Sequence, residues 1–223
     1  MAEPLPDPSA LLRASLVGTL LRELFPEEPE LLRAESPFQL LVSVVLSARC
    51  TDQRVERVTP RLFALAPTAA ALAELSRETV EDCIHSLGFF RQKARALHGL
   101  ARRLVDDFSG RVPLNFPDLE SLPGVGHKTA SVVLGQCAAM ATFPVDTHVA
   151  RLAVRWELAR PGPVEKIERD LKAVFCERDW MATHRRMIAW GRSGCRARGC
   201  DGARCSICRR LKELSHGPAD SHR

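Results

Sequence analysis

Strand signals are nearly absent from this chain of 223 residues. It has no tyrosine, few β-branched runs and no stretch that alternates apolar and polar residues. A sheet-built architecture is therefore excluded from the expectations. No window approaches about 18 apolar residues in a row, so no membrane span is expected. The opening residues, Met1-Ala2-Glu3-Pro4-Leu5-Pro6, lack a basic n-region and an apolar h-region. A signal peptide is not expected, and a cytoplasmic protein is. Lysine is scarce, with 5 against 27 arginines. That bias reads as codon usage, and it makes each lysine worth examining.

Helical periodicity fills the rest. Ser36-Pro37 reads as an N-cap and first helical residue. The helix it opens, 38–48, is apolar on almost every side and should be buried. A pattern over 52–65 should be kinked or broken by Pro60. A helix over 77–87 should end at Gly88. The next, 93–107, places Leu97, Leu100, Ala101, Leu104 and Val105 on one face and stops at Gly110. Phe116-Pro117 opens a short helix, and 127–140 forms another. Asp146 sits at an N-cap position ahead of Val149, Leu152, Ala153 and Trp156. Ile167, Leu171, Val174 and Phe175 mark a further helix, and 183–191 a last one. The ends, 1–8 and 214–223, should be loose. The chain reads as all-α.

Leu122-Pro123-Gly124-Val125-Gly126-His127-Lys128-Thr129 is the most informative stretch. Two short helices flank a Pro/Gly turn, which makes a helix-hairpin-helix. Gly124 and Gly126 can take positive φ and let a phosphodiester approach the backbone. Backbone N–H groups at such a turn can hold a phosphate. Lys128, in the first turn of the following helix, could deliver an amine beside it. An attacking amine must be neutral, and lowering a lysine pKa to about 8 costs roughly 3 kcal/mol. A helix N-terminus and partial burial both help. Asp146, if tightly paired, would hold the proton on. An ordinary αα-corner, a solvated surface lysine and a plain N-cap remain the structural alternatives for these features.

Eight cysteines fall into two groups. Cys50, Cys83, Cys137 and Cys176 lie in or beside apolar helical runs and read as small buried hydrophobes. Cys195, Cys200, Cys205 and Cys208 cluster within fourteen residues. Such clustering, without an export signal, favours a metal over disulfides. Residues 185–212 carry nine Arg/Lys and one acid, Asp201, while the remainder is net negative. That basic run is an electrostatic footprint for nucleic acid or a solvated surface.

Leu122–Ala130, with Val145-Asp146-Thr147-His148-Val149-Ala150-Arg151, resembles the helix-hairpin-helix–Gly/Pro–Asp DNA glycosylases, and their endonuclease III branch in particular. Ser36–Leu41, Leu46–Asp52, Leu87-Gly88-Phe89 and Gly191-Arg192 before Cys195 extend the likeness over roughly residues 15–208. The resemblance implies a two-domain all-α DNA repair enzyme. A helical barrel over 30–140 would carry the hairpin at about 116–135, and 1–29 with 141–223 would carry the cysteines. A lesion groove would lie between them, with Lys128 and Asp146 on opposite walls. The implied activity is excision of oxidised or ring-saturated pyrimidines from duplex DNA, followed by nicking at the abasic site. Lys128 is the implied nucleophile and Asp146 its carboxylate partner. Leu122, Gly124, Val125 and Gly126 are the implied backbone-binding residues. The implied partner is double-stranded DNA holding a damaged base or abasic site, bound by a monomer with no membrane.

Three features depart from the family pattern. Arg49 stands where Gln is usual as the residue that fills the hole left by a flipped base. Phe89 stands where the facing wedge is usually Leu. The cysteines run C-x4-C-x4-C-x2-C rather than C-x6-C-x2-C-x5-C. Four thiolates suit a [4Fe–4S] cluster and also tetrahedral zinc. The departures leave open a different lesion or mismatch preference, or a damage-binding module with weak catalysis.

Overall fold

The computed structural model describes residues 7–30, 32–200, 202 and 204–216. Among these there are twelve α-helices, one short 3₁₀ turn and no strand. The chain divides into two compact units, Glu30–Met140 and Met1–Pro29 with Ala141–Arg223.

The Glu30–Met140 unit holds seven helices. They are α2 (Pro37–Ser47), α3 (Asp52–Leu65), α4 (Ala69–Glu74), α5 (Arg77–Ile84), α6 (Phe90–Phe108), α7 (Phe116–Glu120) and α8 (His127–Cys137). Ser36 starts α2 as expected, its hydroxyl accepting from the Gln39 N–H with Pro37 at the first position. All of Leu40–Leu46 is buried, so α2 runs through the centre of the unit. Helix α6 lays Leu97, Leu100, Ala101 and Leu104 against it. Val105, expected on the same face, is exposed. It lies one residue beyond Leu104, about 100° further round the helix. Ser109 takes a left-handed conformation at the end of α6, and the Gly110 N–H donates back to the Leu104 carbonyl. This is the glycine stop read from the sequence.

Several boundaries differ from the pattern reading. Helix α3 passes through Pro60 rather than breaking there. Pro60 is exposed while Val55, Val58 and Leu62 are buried on the opposite side, so packing holds the helix across the missing N–H. Helix α5 ends at Ile84, short of Gly88, and the Leu87 N–H closes a turn on the Ile84 carbonyl. Helix α8 ends at Cys137 rather than 140. Helix α6 begins three residues earlier than expected.

The other unit holds α1 (Pro8–Leu24), α9 (Thr147–Arg155), α10 (Val164–Val174), α11 (Trp180–Ser193) and α12 (Ser206–His216). Val17, Leu21, Phe143, Val149, Leu152, Trp156, Leu171 and Met187 are all within 1% of full burial. Helix α12 was not legible in the sequence, and α11 starts three residues ahead of expectation. The expectation of loose ends falls, at 1–6 and 217–223, outside the described residues. Within them, Pro8 and residues 214–216 belong to helices. No described helix is long and apolar enough to cross a membrane.

Candidate functional site

The hairpin is built from behind. Leu122 and Val125 are buried, and the Val125 N–H donates to the Leu122 carbonyl. Their side chains anchor the turn in the core, so only their backbone can face a ligand. Gly124 has φ +81°, which favours glycine, and a Cβ there would come within 3.0 Å of Ala96 Cβ. Gly126 departs from the expectation of positive φ. It is the N-cap of α8 in extended conformation, φ −104° and ψ 176°. A Cβ at Gly126 would meet nothing within 4 Å, so the protein's own packing does not require glycine there. Phe116 and His127 stack at 4.9 Å between centroids, and His127 Nδ1 lies 2.7 Å from Glu120 Oε1. These contacts brace α7 against α8. Lys128 is the second residue of α8 and half-buried.

Arg49 and Phe89 come together on the same unit. Both are exposed and both have left-handed backbones, φ 54° and 59°. The Arg49 guanidinium sits 5.7 Å from the Phe89 ring centroid. They line a cavity of about 360 Å³ with Val45, Ala48, Gln92, Lys93, Ala96 and Gly124. Sequence reasoning passed over Lys93. Burial pushes its amine below the ordinary lysine value, Arg54 adds to that, and Cys50 acts against it. Its signal was present, because Lys93 stands four residues before Leu97 on the buried stripe of α6.

Asp146 belongs to the other unit. Its Oδ1 accepts from the His148 and Val149 N–H groups at 2.8 and 2.9 Å, so the expected N-cap is present. The cap fixes the carboxylate at the head of α9. One and two turns on, arginines leave the same helix for the cysteine segment. Arg151 donates to the Gly191 and Cys195 carbonyls. Arg155 donates to Cys195 Sγ at 3.1 Å and to the Arg196 and Ala197 carbonyls.

Cys195, Cys200, Cys205 and Cys208 converge, their sulfurs all within 4.8 Å of one another. Cys195 follows α11, and Cys208 lies in the first turn of α12. Three are buried and Cys200 is half-buried. Cys200 thus joins the other three despite its displaced position in the sequence. Thiol hydrogen bonds from Cys195 and Cys208 push the Cys205 thiol well below its ordinary value, whereas bonds with Cys195 and then Cys205 push Cys208 up, and the bond with Cys205 raises Cys195. One thiolate is stabilised at its neighbours' expense; ionising all four calls for a metal. Both four-thiolate groups fit this donor set. Cys195, Cys200 and Cys208 stand 3.7 and 3.8 Å apart, close enough for one bound group to engage all three. Of the scattered cysteines, Cys83 is buried as expected, Cys50 and Cys137 are half-buried, and Cys176 is exposed. Cys176 lies in the turn after α10 rather than on its inner face.

Comparison with known proteins accords with this architecture. Residues 42–176 match the HhH-GPD superfamily base excision DNA repair proteins. The chain is 43% identical over 187 residues to endonuclease III of Synechocystis sp., covering 83% of this chain and 85% of that one. It is 38% identical over 190 residues to endonuclease III of Escherichia coli strain K12, covering 85% and 89%. Among solved structures, it is similar to a trapped endonuclease III–DNA covalent intermediate, an estranged-adenine complex. There the TM-score is 0.85 at 35% identity, covering 92% of this chain and 98% of that one. With the hairpin, the capped aspartate and the four-cysteine site all in place, the chain belongs to the endonuclease III family of the HhH-GPD superfamily.

Proposed function

We propose that this protein is a base-excision-repair DNA glycosylase with abasic-site lyase activity. Its substrates are oxidised or ring-saturated pyrimidines in duplex DNA, of the thymine glycol type. The observation that carries the reading is the turn at Gly124–Gly126 running straight into a helix whose second residue is Lys128. The open space beside Gly126 suits a phosphate, which a side chain there would exclude.

The chemistry follows from that placement. The target nucleotide leaves the base stack. The neutral Lys128 amine attacks the sugar C1′, and the C1′–N bond to the base breaks. Asp146 accepts the proton from the amine or balances positive charge developing on the sugar. Loss of the ring oxygen from C1′ leaves an imine between Lys128 and the opened sugar. Removal of a C2′ proton then expels the 3′ phosphate by β-elimination, which nicks the strand. Arg49 and Phe89 enter the space that the target base vacates. The basic residues of 185–212 add salt-sensitive affinity. The protein acts as a monomer on cytoplasmic, nucleoid DNA.

For the cysteine site we propose a [4Fe–4S] cluster, as the family resemblance implies. Bound there, it would tie the segment after α11 to α12 and supply no step of the reaction. Cys195, Cys200, Cys205 and Cys208 would hold it. Iron and sulfide assays and the visible colour of the purified protein test this. A colourless, iron-free, zinc-loaded protein overturns it.

Borohydride trapping on a duplex with one thymine glycol, with Lys128→Ala alongside, tests the main reading. A covalent adduct that depends on Lys128 is expected. Trapping on an abasic site but not on the glycol would keep the lyase and overturn the substrate. No adduct on either, with binding retained, would leave a damage-binding module.

A further inference from the structure

The unit formed by Met1–Pro29 and Ala141–Arg223 holds two buried donors with nothing to donate to. The indole N–H groups of Trp156 and Trp190 are cut off from solvent, and neither has a hydrogen-bond partner. Orphaned buried N–H groups are rare in native folds, because each gives up its water without replacement. Trp180, the third tryptophan of the chain, shows the ordinary outcome. Its indole N–H donates to the Phe175 carbonyl at 2.9 Å.

Both orphans stand against the cysteine segment. Trp190 precedes Cys195 by one turn and a half of α11 and its cap, and its carbonyl accepts from the Cys195 N–H. Its ring folds back over that turn. A Cβ on Gly194 would fall 2.4 Å from three atoms of the ring, so a side chain there would displace the indole. Phe25 packs edge-on against the same ring, with centroids 6.4 Å apart. Trp156, fully buried, follows Arg155 at the end of α9 and borders one small cavity with Cys200 and Cys208. Bonds among the thiols dominate the acidity of Cys205 and Cys208. Beside them, the Trp190 N–H favours the thiolate of Cys205 and the Trp156 N–H that of Cys208. Arg155 already donates to Cys195 Sγ at 3.1 Å. Each of the three buried sulfurs is therefore faced by one side-chain N–H, and each N–H comes from a different residue.

A neutral thiol is a weak acceptor, whereas a thiolate carries the charge that an N–H prefers. We propose that Trp156 and Trp190 are positioning residues for the bound [4Fe–4S] cluster, donating to the sulfurs of Cys208 and Cys205 and raising its reduction potential. The proposal rests on the cluster reading of the site. Donors aimed at the ligand sulfurs favour the more negative, reduced state, and hydrogen bonds to sulfur are among the terms that set such potentials.

The test is the midpoint potential of the cluster, read by voltammetry on the purified holoenzyme with iron and sulfide content alongside. Phenylalanine in place of each tryptophan keeps an apolar ring and removes the N–H. Trp156→Phe and Trp190→Phe should each lower the potential, and the double variant should lower it further. Trp180→Phe, which loses a bond to a carbonyl instead, should leave it unchanged. Unchanged potentials in Trp156→Phe and Trp190→Phe at full iron content overturn the proposal. So does an equal fall in Trp180→Phe, which would mark a general loosening of the fold. Where a variant fails to hold its cluster, wild type labelled with 15N-tryptophan decides. The Trp156 and Trp190 indole signals should carry hyperfine shifts and the Trp180 signal none; three unshifted signals overturn the proposal. An iron-free wild type removes the cluster reading itself, and this proposal with it.

Discussion

The guanidinium of Arg49 stands 5.7 Å from the ring centroid of Phe89, and each residue reaches that position on a left-handed backbone. Among the described residues of the Glu30–Met140 unit, the other left-handed non-glycine positions are the small residues Ser109 and Ala139. A left-handed non-glycine residue costs on the order of 1 kcal/mol or more, and such strain concentrates at working sites. Phe89 is 58% exposed, so its side chain repays little of that cost through burial.

Phe89→Gly separates the two roles. Glycine relaxes the φ of 59° but adds chain entropy to the unfolded state, so stability should stay within about 1 kcal/mol of wild type. Excision should fall about tenfold or more, because the wedge that offsets unstacking is gone. Urea unfolding and kcat/KM on a thymine glycol duplex measure both. A fall in stability that accounts for the loss of activity would make Phe89 a packing residue.

The two hairpin glycines should respond in opposite ways to alanine. Gly124→Ala meets a φ of +81° and a Cβ contact of 3.0 Å with Ala96, so it should destabilise the fold by about 1–3 kcal/mol. Gly126→Ala meets an ordinary extended backbone and open space, so the fold should not change. Its methyl group would stand where the phosphate is proposed to approach. DNA affinity should then fall about tenfold, the scale of one lost charge-assisted hydrogen bond. Fluorescence anisotropy on a lesion duplex reads the affinity, and unaltered binding by Gly126→Ala would remove the phosphate from that place.

Asp146 carries a structural task and a proposed chemical one on the same carboxylate. Asp146→Asn keeps an oxygen for the His148 and Val149 N–H groups, and Asn caps as well as Asp. Asp146→Ala loses the cap and should cost about 1 kcal/mol. Both should lose activity about a hundredfold or more, the range of a lost acid–base group. Single-turnover rates beside thermal unfolding decide the point. If only Asp146→Ala is slow, the carboxylate is a cap and nothing more.

What the sequence disclosed was local. The Ser36 cap, the Asp146 cap and the hairpin turn depend on residues a few positions apart, and all three stand where the pattern placed them. What it concealed depends on packing. Pro60 marks a break, yet buried Val55, Val58 and Leu62 carry the helix through. Helix α12 holds only Ile207, Leu211 and Leu214 as large aliphatic residues among cysteines and basic groups, too few for a clear periodic signal. Cys200 sits off the familiar spacing, and only the folded loop shows it beside the other three sulfurs. Gly126 was read as a positive-φ glycine, whereas its backbone is ordinary and its bare Cα is what distinguishes it. Lys93 was read only as the first residue of its helix, whereas the fold buries it with the apolar stripe that follows.

Lys93 should also leave a mark on the pH dependence of stability. Burial lowers its pKa from the ordinary 10.5, so between the lowered value and 10.5 the folded protein binds fewer protons than the unfolded chain. Stability attributable to this group therefore rises with pH across that window and is at its minimum below it. The increment is about 1.4 kcal/mol for each pH unit of depression. Cys83 and Cys137, whose pKa values burial raises, titrate in the alkaline range too, but they are common to wild type and Lys93→Met and cancel in the difference. Urea unfolding of both proteins from pH 7 to pH 10.5 should show the wild type gaining on the variant as pH rises, with Lys93→Met the more stable near neutrality. A flat difference would mean that the amine keeps its charge at no cost.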